Sequence, residues 1–184
     1  MDQNRAARAA ARIDRMLRSE SVVWLSTVGR DGQPHLVPIW FSWDGASIVI
    51  ASKPNAKKVA NLRHNPSVML ALGKPEDDFD VGMVRGIAEL PAESAADLLP
   101  PTHLAKYRDQ MAAIGLTPSE FLAAYSQVIR IRPTHFLPWH GRTTPSEVDL
   151  GRSTGDRRLA AAIRRVAASL ETRPVPGRPA FLAG

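Results

Sequence analysis

The stretch that decides the fold is SKPNAKKVANLRHNP, residues 52–66. A β-branched run, residues 47–51, leads into it and predicts a short buried strand. Pro54 breaks that strand, and Asn55 is predicted to be the N-cap of a helix that Pro66 ends. The stretch therefore predicts a strand followed by a helix of about two to three turns.

Two lysines, Lys57 and Lys58, fall in the first turn of this helix. They lie beside free N–H groups and the positive end of the helix dipole, which is unfavourable for a cation. The conflict disappears if an anion binds, because the N–H groups, the Ser52 hydroxyl and both ammonium groups can converge on a phosphate. Two solvated lysines on an exposed turn explain the same pattern, and the residues alone leave both interpretations open. The stretch is not a P-loop, since the chain has no Gly-x-x-x-x-Gly-Lys-Ser/Thr run here.

Composition limits the class of protein. The chain has 184 residues, of which 44% are hydrophobic and 23% charged, as in a globular domain with an appendage. No apolar run approaches the roughly 20 residues of a membrane span, and the N-terminus lacks the apolar core of a signal peptide, so we expect a cytoplasmic protein. The chain has no cysteine, which excludes disulfides and zinc–thiolate sites. The net charge of +6 favours an anionic partner, such as nucleic acid, anionic lipid or a phosphorylated cofactor.

Most of the chain reads as antiparallel strands. Asp31-Gly32 and Asp44-Gly45 are hairpin signals, and Pro38 places the second strand at an edge or a bulge. Six strands are predicted, over residues 22–28, 34–43, 46–52, 67–72, 79–90 and 127–132. Further helices are predicted over residues 3–18, 93–113 (interrupted at Pro100-Pro101) and 118–126, the last capped by Thr117.

The element order predicts a mainly β (α+β) fold, a six-stranded antiparallel barrel with flanking helices. We assign residues 1–142 to this domain and residues 143–184 to a C-terminal extension. The extension contains a predicted linker, residues 149–156, followed by one amphipathic helix marked by apolar residues between 159 and 170.

Two other patterns have simpler explanations than a binding site. The acidic segment 76–80 lacks the spacing of a Ca²⁺ loop and is interpreted as a hairpin tip, so no metal site is predicted. The arginine stripe of the first helix, Arg5, Arg8, Arg12 and Arg15, is interpreted as a solvated outer face. Nucleic acid is therefore the least favoured partner.

Four pieces of the chain carry a resemblance to a known group of proteins: residues 24–32, 34–45, 57–66 and 128–142. In their order and spacing they resemble the flavin- and deazaflavin-binding split β-barrel superfamily related to pyridoxamine 5′-phosphate oxidase. The resemblance implies a homodimer with two cofactor sites at the subunit interface. It also implies that Ser52, Lys57 and Lys58 hold the cofactor phosphate. The other implied cofactor-binding residues lie along the ring or beneath it, and are Val37, Pro38, Ile39, Trp40, Ile50, Ala51 and Asn61, with a backbone bulge near Pro38.

Within that superfamily the runs VPIWF (37–41) and KKVANL (57–62) resemble the branch that uses the deazaflavin coenzyme F420, with FMN as the alternative. No counterpart is found of the C-terminal segment with which true pyridoxamine phosphate oxidases bind substrate. The resemblance implies an oxidoreductase in which the reduced cofactor gives hydride to a small or hydrophobic acceptor. A non-catalytic flavin- or haem-binding protein is the second hypothesis. No catalytic residue is assigned; candidate proton donors and pocket walls, by residue type, are His35, His64, His135 and His140, and Trp24, Trp40 and Trp139.

Overall fold

The computed structural model describes residues 3–74, 80–139 and 148–149. The strands are β1 Val23–Val28, β2 Pro34–Ile39, β3 Ser42–Trp43, β4 Ile48–Ser52, β5 Ser67–Lys74, β6 Asp80–Glu89, β7 Gln127–Trp139 and β8 Val148–Asp149. The helices are α1 Gln3–Ser19, α2 Lys57–His64, α3 Ala95–Leu98, α4 Pro101–Lys106, α5 Arg108–Ala113 and α6 Pro118–Ala124. Most of the predicted acidic hairpin tip lies outside the described residues. The predicted C-terminal helix also lies outside them.

The described strands form one antiparallel sheet that curls on itself. Its order is β2-β1-β5-β6-β7-β4-β3, and β8 pairs with β7. The two ends of this path, β2 and β3, are consecutive in sequence, and only Trp40 and Phe41 separate them. Three Cα steps span at most about 11 Å, so the two edges of the sheet lie close together. The sheet is therefore a barrel split between β2 and β3, and the predicted mainly β split-barrel fold is confirmed.

The predicted number of strands is wrong: six were predicted, and the described sheet has seven along its path. The predicted strand 34–43 is divided at Trp40 and Phe41. The backbone N–H and C=O of Phe41 bond to the Tyr107 hydroxyl, at 2.9 and 2.7 Å, instead of to a neighbouring strand. The last predicted strand also extends further than expected, since β7 pairs with β6 as far as Trp139. The eighth strand, Val148–Asp149, falls where the sequence predicted the start of a linker.

The predicted bulge near Pro38 is wrong. The β1–β2 register runs unbroken from Val23 opposite Ile39 to Val28 opposite Pro34. Because β2 is an edge strand, a proline without an N–H fits there and needs no bulge. The predicted edge position is confirmed, and a register shift occurs instead in β6, between Arg85 and Gly86.

The predicted N-cap of α2 is also wrong. The cap is Ala56, which offers no side-chain hydrogen bond, and the helix begins at Lys57. The Ala56 N–H donates to the Lys53 carbonyl at 3.1 Å, and this turn carries the chain past Asn55, which is exposed. In α6 the predicted cap is confirmed, since Thr117 forms a capping box with Glu120.

The main hydrophobic core fills the inside of the barrel. Ile48 and Ile50 of β4 point into it, and α1 buries Ile13 and Leu17 against it, all with no exposed surface. A second contact fixes α1, because the buried Asp14 carboxylate accepts a 2.7 Å bond from Trp43 Nε1. The side of α1 that carries Ile13 and Leu17 is thus its inward face.

A helical insert, α3 to α6, covers the outside of β4 and β7. Val49 and Ala51 alternate with the inward residues of β4 and face this insert. Their neighbours in this second core are Ala95, Leu99, Tyr107, Met111, Phe121 and Val128. The predicted helix 93–113 is interrupted near Pro100-Pro101 as expected, and again at Tyr107.

No helix among the described residues is long and apolar enough to cross a membrane. In the same residues no cluster of three or more histidine or acidic side chains is placed to hold a metal ion.

Candidate functional site

A groove of about 380 Å³ lies across the split of the barrel. Pro38 and Ile39 line it from β2, at one end of the sheet, and Ala51 lines it from β4, near the other end. Trp40 comes from the connection between the two ends. The remaining lining residues are Val22, Lys58, Ile114, Phe121 and Tyr125. We call this the seam groove.

One wall of the seam groove is a set of stacked rings. Trp40 stacks on Tyr107 with a centroid distance of 4.9 Å and an interplanar angle of 7°. Phe121 lies 5.9 Å from Trp40 and stacks on Tyr125 at 4.8 Å. Because β4 and the connection supply only apolar surface beside these rings, the groove suits a flat, largely apolar group.

Among the described residues, the charged side chain that lines the seam groove is a lysine, Lys58. Lys58 is half-buried, and burial lowers the pKa of its ammonium group. No carboxylate of the described residues pairs with Lys58. Lys53 lies nearby, with Nζ 5.5 Å from the centroid of the Tyr125 ring. An anion bound beside the aromatic wall would supply the charge partner that Lys58 lacks.

Half of the ten predicted cofactor-binding residues meet in the seam groove: Pro38, Ile39, Trp40, Ala51 and Lys58. The others lie outside its lining. Val37 is half-buried opposite Leu25 of β1, and Ile50 is fully buried in the barrel core. Ser52 is buried, and its hydroxyl donates to the Lys53 carbonyl at 3.3 Å.

The two remaining predicted residues are on α2. Lys57 is exposed, one residue before the groove-lining Lys58. Asn61 is buried and donates from Nδ2 to Thr27 Oγ1 at 3.0 Å, which ties α2 to β1. Lys58 is therefore the helix residue that the structure places at the groove.

None of the described histidines lines the seam groove. His64 is exposed, His35 is half-buried on β2, and His135 shares a 3.1 Å hydrogen bond with Thr134. Of the predicted wall residues, Trp40 lines the groove, and Trp24 lies opposite Pro38 in the β1–β2 register and is 48% exposed. His140 lies outside the described residues.

Sequence reasoning missed the wall that the insert supplies: Ile114, Phe121 and Tyr125. It also missed Val22 and the neighbouring Lys53. The spacing of Phe121 and Tyr125, four residues apart on a predicted helix, signals one shared face. Nothing local in the sequence indicates that this face meets β2 and β4.

A buried polar cluster lies behind the aromatic wall. The Tyr107 hydroxyl accepts from the Phe41 N–H and lies 2.8 Å from the Ser21 carbonyl and 2.7 Å from the Phe41 carbonyl. Burial raises the pKa of Tyr107 to about 12. Lys106 Nζ donates to the Glu20 carbonyl at 2.6 Å, and burial lowers the pKa of its ammonium group.

His103 belongs to the same cluster and has no exposed surface. Its Nδ1 is 2.7 Å from Ser42 Oγ, whereas its Nε2 has no hydrogen-bond partner. Burial, together with the charge of Lys106, lowers the pKa of His103 to about 4. The imidazole is therefore neutral near pH 7.

The sequence profile of pyridoxamine 5′-phosphate oxidase matches residues 9–140. The chain belongs to the pyridoxamine 5′-phosphate oxidase family. No curated protein matches the sequence. Among solved structures, General Stress Protein 26 from Bacillus anthracis str. Sterne is 22% identical, over 77% of this chain and 98% of that one, with a TM-score of 0.58. An FAD-binding protein from Mesorhizobium loti is 21% identical, over 69% of this chain and 89% of that one, with a TM-score of 0.54.

An F420 reductase is 26% identical, over 67% of this chain and 94% of that chain, with a TM-score of 0.49. The first two structures share the fold of the pyridoxamine 5′-phosphate oxidase family member described here.

Proposed function

We propose that this protein is an oxidoreductase that binds a phosphorylated flavin-type cofactor in the seam groove, with the deazaflavin coenzyme F420 as the first candidate and FMN as the alternative. When bound, such a cofactor supplies a ring that accepts and donates hydride. The chain itself supplies the position of the ring, a partly dry environment and the counter-charge for the phosphate.

The shape of the seam groove supports a planar ligand. Trp40 and Phe121 offer flat surface on one side, and Ala51 offers small apolar surface on another. β2 has neighbour β1 on one side only, so its other edge carries backbone groups that no strand of the described sheet pairs. A ring with a polar edge can use both features, stacking on the wall and hydrogen-bonding to the strand.

The observation that carries the proposal is Lys58. It is a half-buried cation in a mostly apolar groove, and no carboxylate of the described residues neutralises it. It also lies in the first turn of α2, whose cap, Ala56, leaves the free N–H groups without a side-chain partner. A phosphate at this helix start would satisfy the N–H groups and Lys58 together.

The preference for F420 over FMN comes from the sequence runs 37–41 and 57–62, which resemble the deazaflavin branch. The net charge of +6 is consistent with a cofactor that bears several negative charges. Both cofactors present a phosphate and a similar ring to the groove, so they are compared directly in the test.

The test is equilibrium titration of the purified protein with F420 and with FMN, in separate experiments. We expect one of them to bind, and Lys58→Met, which removes the charge but keeps the apolar stem, to raise its Kd at least about tenfold. Lys57→Met removes an exposed cation one residue away, and we expect it to raise the Kd less than Lys58→Met does. Arg63→Met, at the far end of α2, is the matched control and should leave the Kd unchanged within about twofold.

Three results would contradict the proposal in different ways. Binding of neither cofactor would remove the function. Binding that is insensitive to Lys58→Met would remove the assigned phosphate site. Tight binding of FMN with none of F420 would overturn the deazaflavin branch and keep the site.

We also propose that the protein is a homodimer whose interface borders the seam groove. Trp24 and Leu36 are 48% and 58% exposed, which is unusual for large apolar side chains. The register places both on one face of the sheet together with Pro38, which lines the groove. A second copy on this face would cover the apolar surface and approach the groove.

Sedimentation analysis of the full chain tests the dimer. We expect a dimer for the wild type and a monomer for Trp24→Lys, because a charge in the middle of an apolar interface loses its solvation. A wild-type monomer at micromolar concentration would contradict this proposal without affecting cofactor binding by Lys58.

A further inference from the structure

Two consecutive residues of the helical insert, Lys106 and Tyr107, hold two separate chain segments beside the seam groove. One segment is the entry to β1, where Lys106 Nζ donates to the Glu20 carbonyl at 2.6 Å and the Tyr107 hydroxyl lies 2.8 Å from the Ser21 carbonyl. The other is Phe41, whose carbonyl oxygen accepts from Lys106 Nζ at 3.3 Å and lies 2.7 Å from the Tyr107 hydroxyl, within reach of the same proton.

These segments are the ones that carry groove residues. Val22 directly follows Ser21, and Trp40 directly precedes Phe41. The Tyr107 ring also stacks on the face of Trp40, at 4.9 Å and 7°. A single buried side chain thus contacts the Trp40 ring and satisfies both backbone groups of the next residue.

The break between β2 and β3 makes this contact necessary. Within the described sheet, Phe41 lies between the two edge strands, so neither its N–H nor its C=O has a strand partner. Phe41 is also fully buried, where unpaired backbone groups are costly. The Tyr107 hydroxyl accepts from one group and can donate to the other, and so replaces the missing strand.

We infer that Tyr107, assisted by Lys106, is a positioning residue of the seam groove: it fixes the split of the barrel in an open arrangement and sets Trp40 as the wall of the ligand site. Nothing in this role requires Tyr107 to touch the ligand. The effect on ligand affinity rests on the proposed function, whereas the effect on the Phe41 backbone does not.

The test variant is Tyr107→Phe, which keeps the stacked ring and removes only the hydroxyl. We expect the Kd for the bound cofactor (F420 or FMN) to rise about tenfold, since the wall loses the hydrogen bonds that fix it. We also expect hydrogen exchange of the Phe41 amide, measured by NMR, to accelerate about tenfold relative to the Ile50 amide of the barrel core.

The matched control is Met111→Ala. Met111 is fully buried in the same helical core, so its truncation destabilises the insert without removing any contact to Ser21 or Phe41. If Tyr107 affected binding only by stabilising the insert, Met111→Ala would weaken cofactor binding as much as Tyr107→Phe does. We expect Met111→Ala to keep both the Kd and the exchange rate of the Phe41 amide relative to Ile50 within about twofold of the wild-type values.

Each outcome decides the inference. An unchanged relative exchange of Phe41 in Tyr107→Phe would overturn it, as would equal loss of affinity in Met111→Ala. A wild type that binds neither cofactor would overturn the proposed function, and the exchange contrast would still decide the role of Tyr107. If Tyr107→Phe does not fold, Lys106→Met is measured instead, with an expected rise in Kd of about threefold because the charge-assisted bonds to the Glu20 and Phe41 carbonyls are lost. An unchanged Kd in Lys106→Met would overturn the inference.

Discussion

The buried imidazole of His103 predicts that acid destabilises this protein well above the pH at which most carboxylates are protonated. The ring has no exposed surface, its Nε2 has no hydrogen-bond partner, and the charge of Lys106 is close. Ser42, Tyr107 and Phe121 are its other close neighbours, and none of them carries a charge near pH 7. A proton added to His103 would therefore lie buried without an acceptor.

The magnitude follows from the pKa of His103 in the two states. It is 6.5 in the unfolded chain and about 4 in the folded protein. As the pH falls below 6.5 the unfolded chain binds a proton that the native state does not, so the free energy of unfolding decreases. Between pH 7 and pH 4.5 the loss is about 2 kcal/mol, and it levels off as the pH falls below 4 because the folded state then becomes protonated as well.

The assay is urea unfolding of the wild type and of His103→Asn at a series of pH values from 7 to 4.5. Asparagine can keep a hydrogen bond near the position of Nδ1 but does not titrate. All other titrating groups are shared, so the difference between the two pH profiles isolates His103. We expect the wild type to lose about 2 kcal/mol more than the variant over this range. Parallel profiles for the two proteins would refute the reasoning.

Three further predictions concern stability, measured by thermal or urea unfolding. Gly86→Ala should destabilise the protein by about 1–3 kcal/mol, because a Cβ there would lie 2.6 Å from Ile131 Cγ2 and 2.9 Å from the Arg132 carbonyl; an unchanged midpoint would contradict the tight packing of β6 on β7. Trp43→Phe should cost about 1–3 kcal/mol, since it removes a 2.7 Å hydrogen bond to the buried Asp14; Trp43→Phe in an Asp14→Asn background should then cost less. Thr117→Ala should cost about 1 kcal/mol through loss of the α6 cap, and Thr117→Ser should restore most of it.

The barrel could be predicted from the sequence because its strands carry local sequence signals. β1 and β6 carry several β-branched residues, β5 is an apolar run between Pro66 and Gly73, and the hairpin signal at Asp31-Gly32 lies at the turn between β1 and β2. The break at Trp40 and Phe41 has no such signal. It exists because the Tyr107 hydroxyl, 66 residues away, offers the backbone an alternative partner.

The candidate site could be predicted only in part, because some of its residues meet through contacts between distant parts of the chain. The run 37–40 and Lys58 were identified from a local motif, and most of that run lines the groove. The wall formed by Phe121 and Tyr125 was not identified from the sequence, since its position depends on how the insert packs on β4. The misplaced cap at Asn55 is a different error, because a good capping side chain was present but the backbone turned one residue later.

The split of the barrel has a consequence for the order in which the molecule folds. The β1–β2 and β5–β6 hairpins join neighbours in sequence, whereas closing the sheet requires β4 to find β7, with Ile48 opposite Ile131. Contacts between distant parts of a chain form slowly because a long loop must be closed first. We therefore expect the two hairpins to gain amide protection early in refolding, and the ligand site to mature last, after the residues that follow the insert have docked.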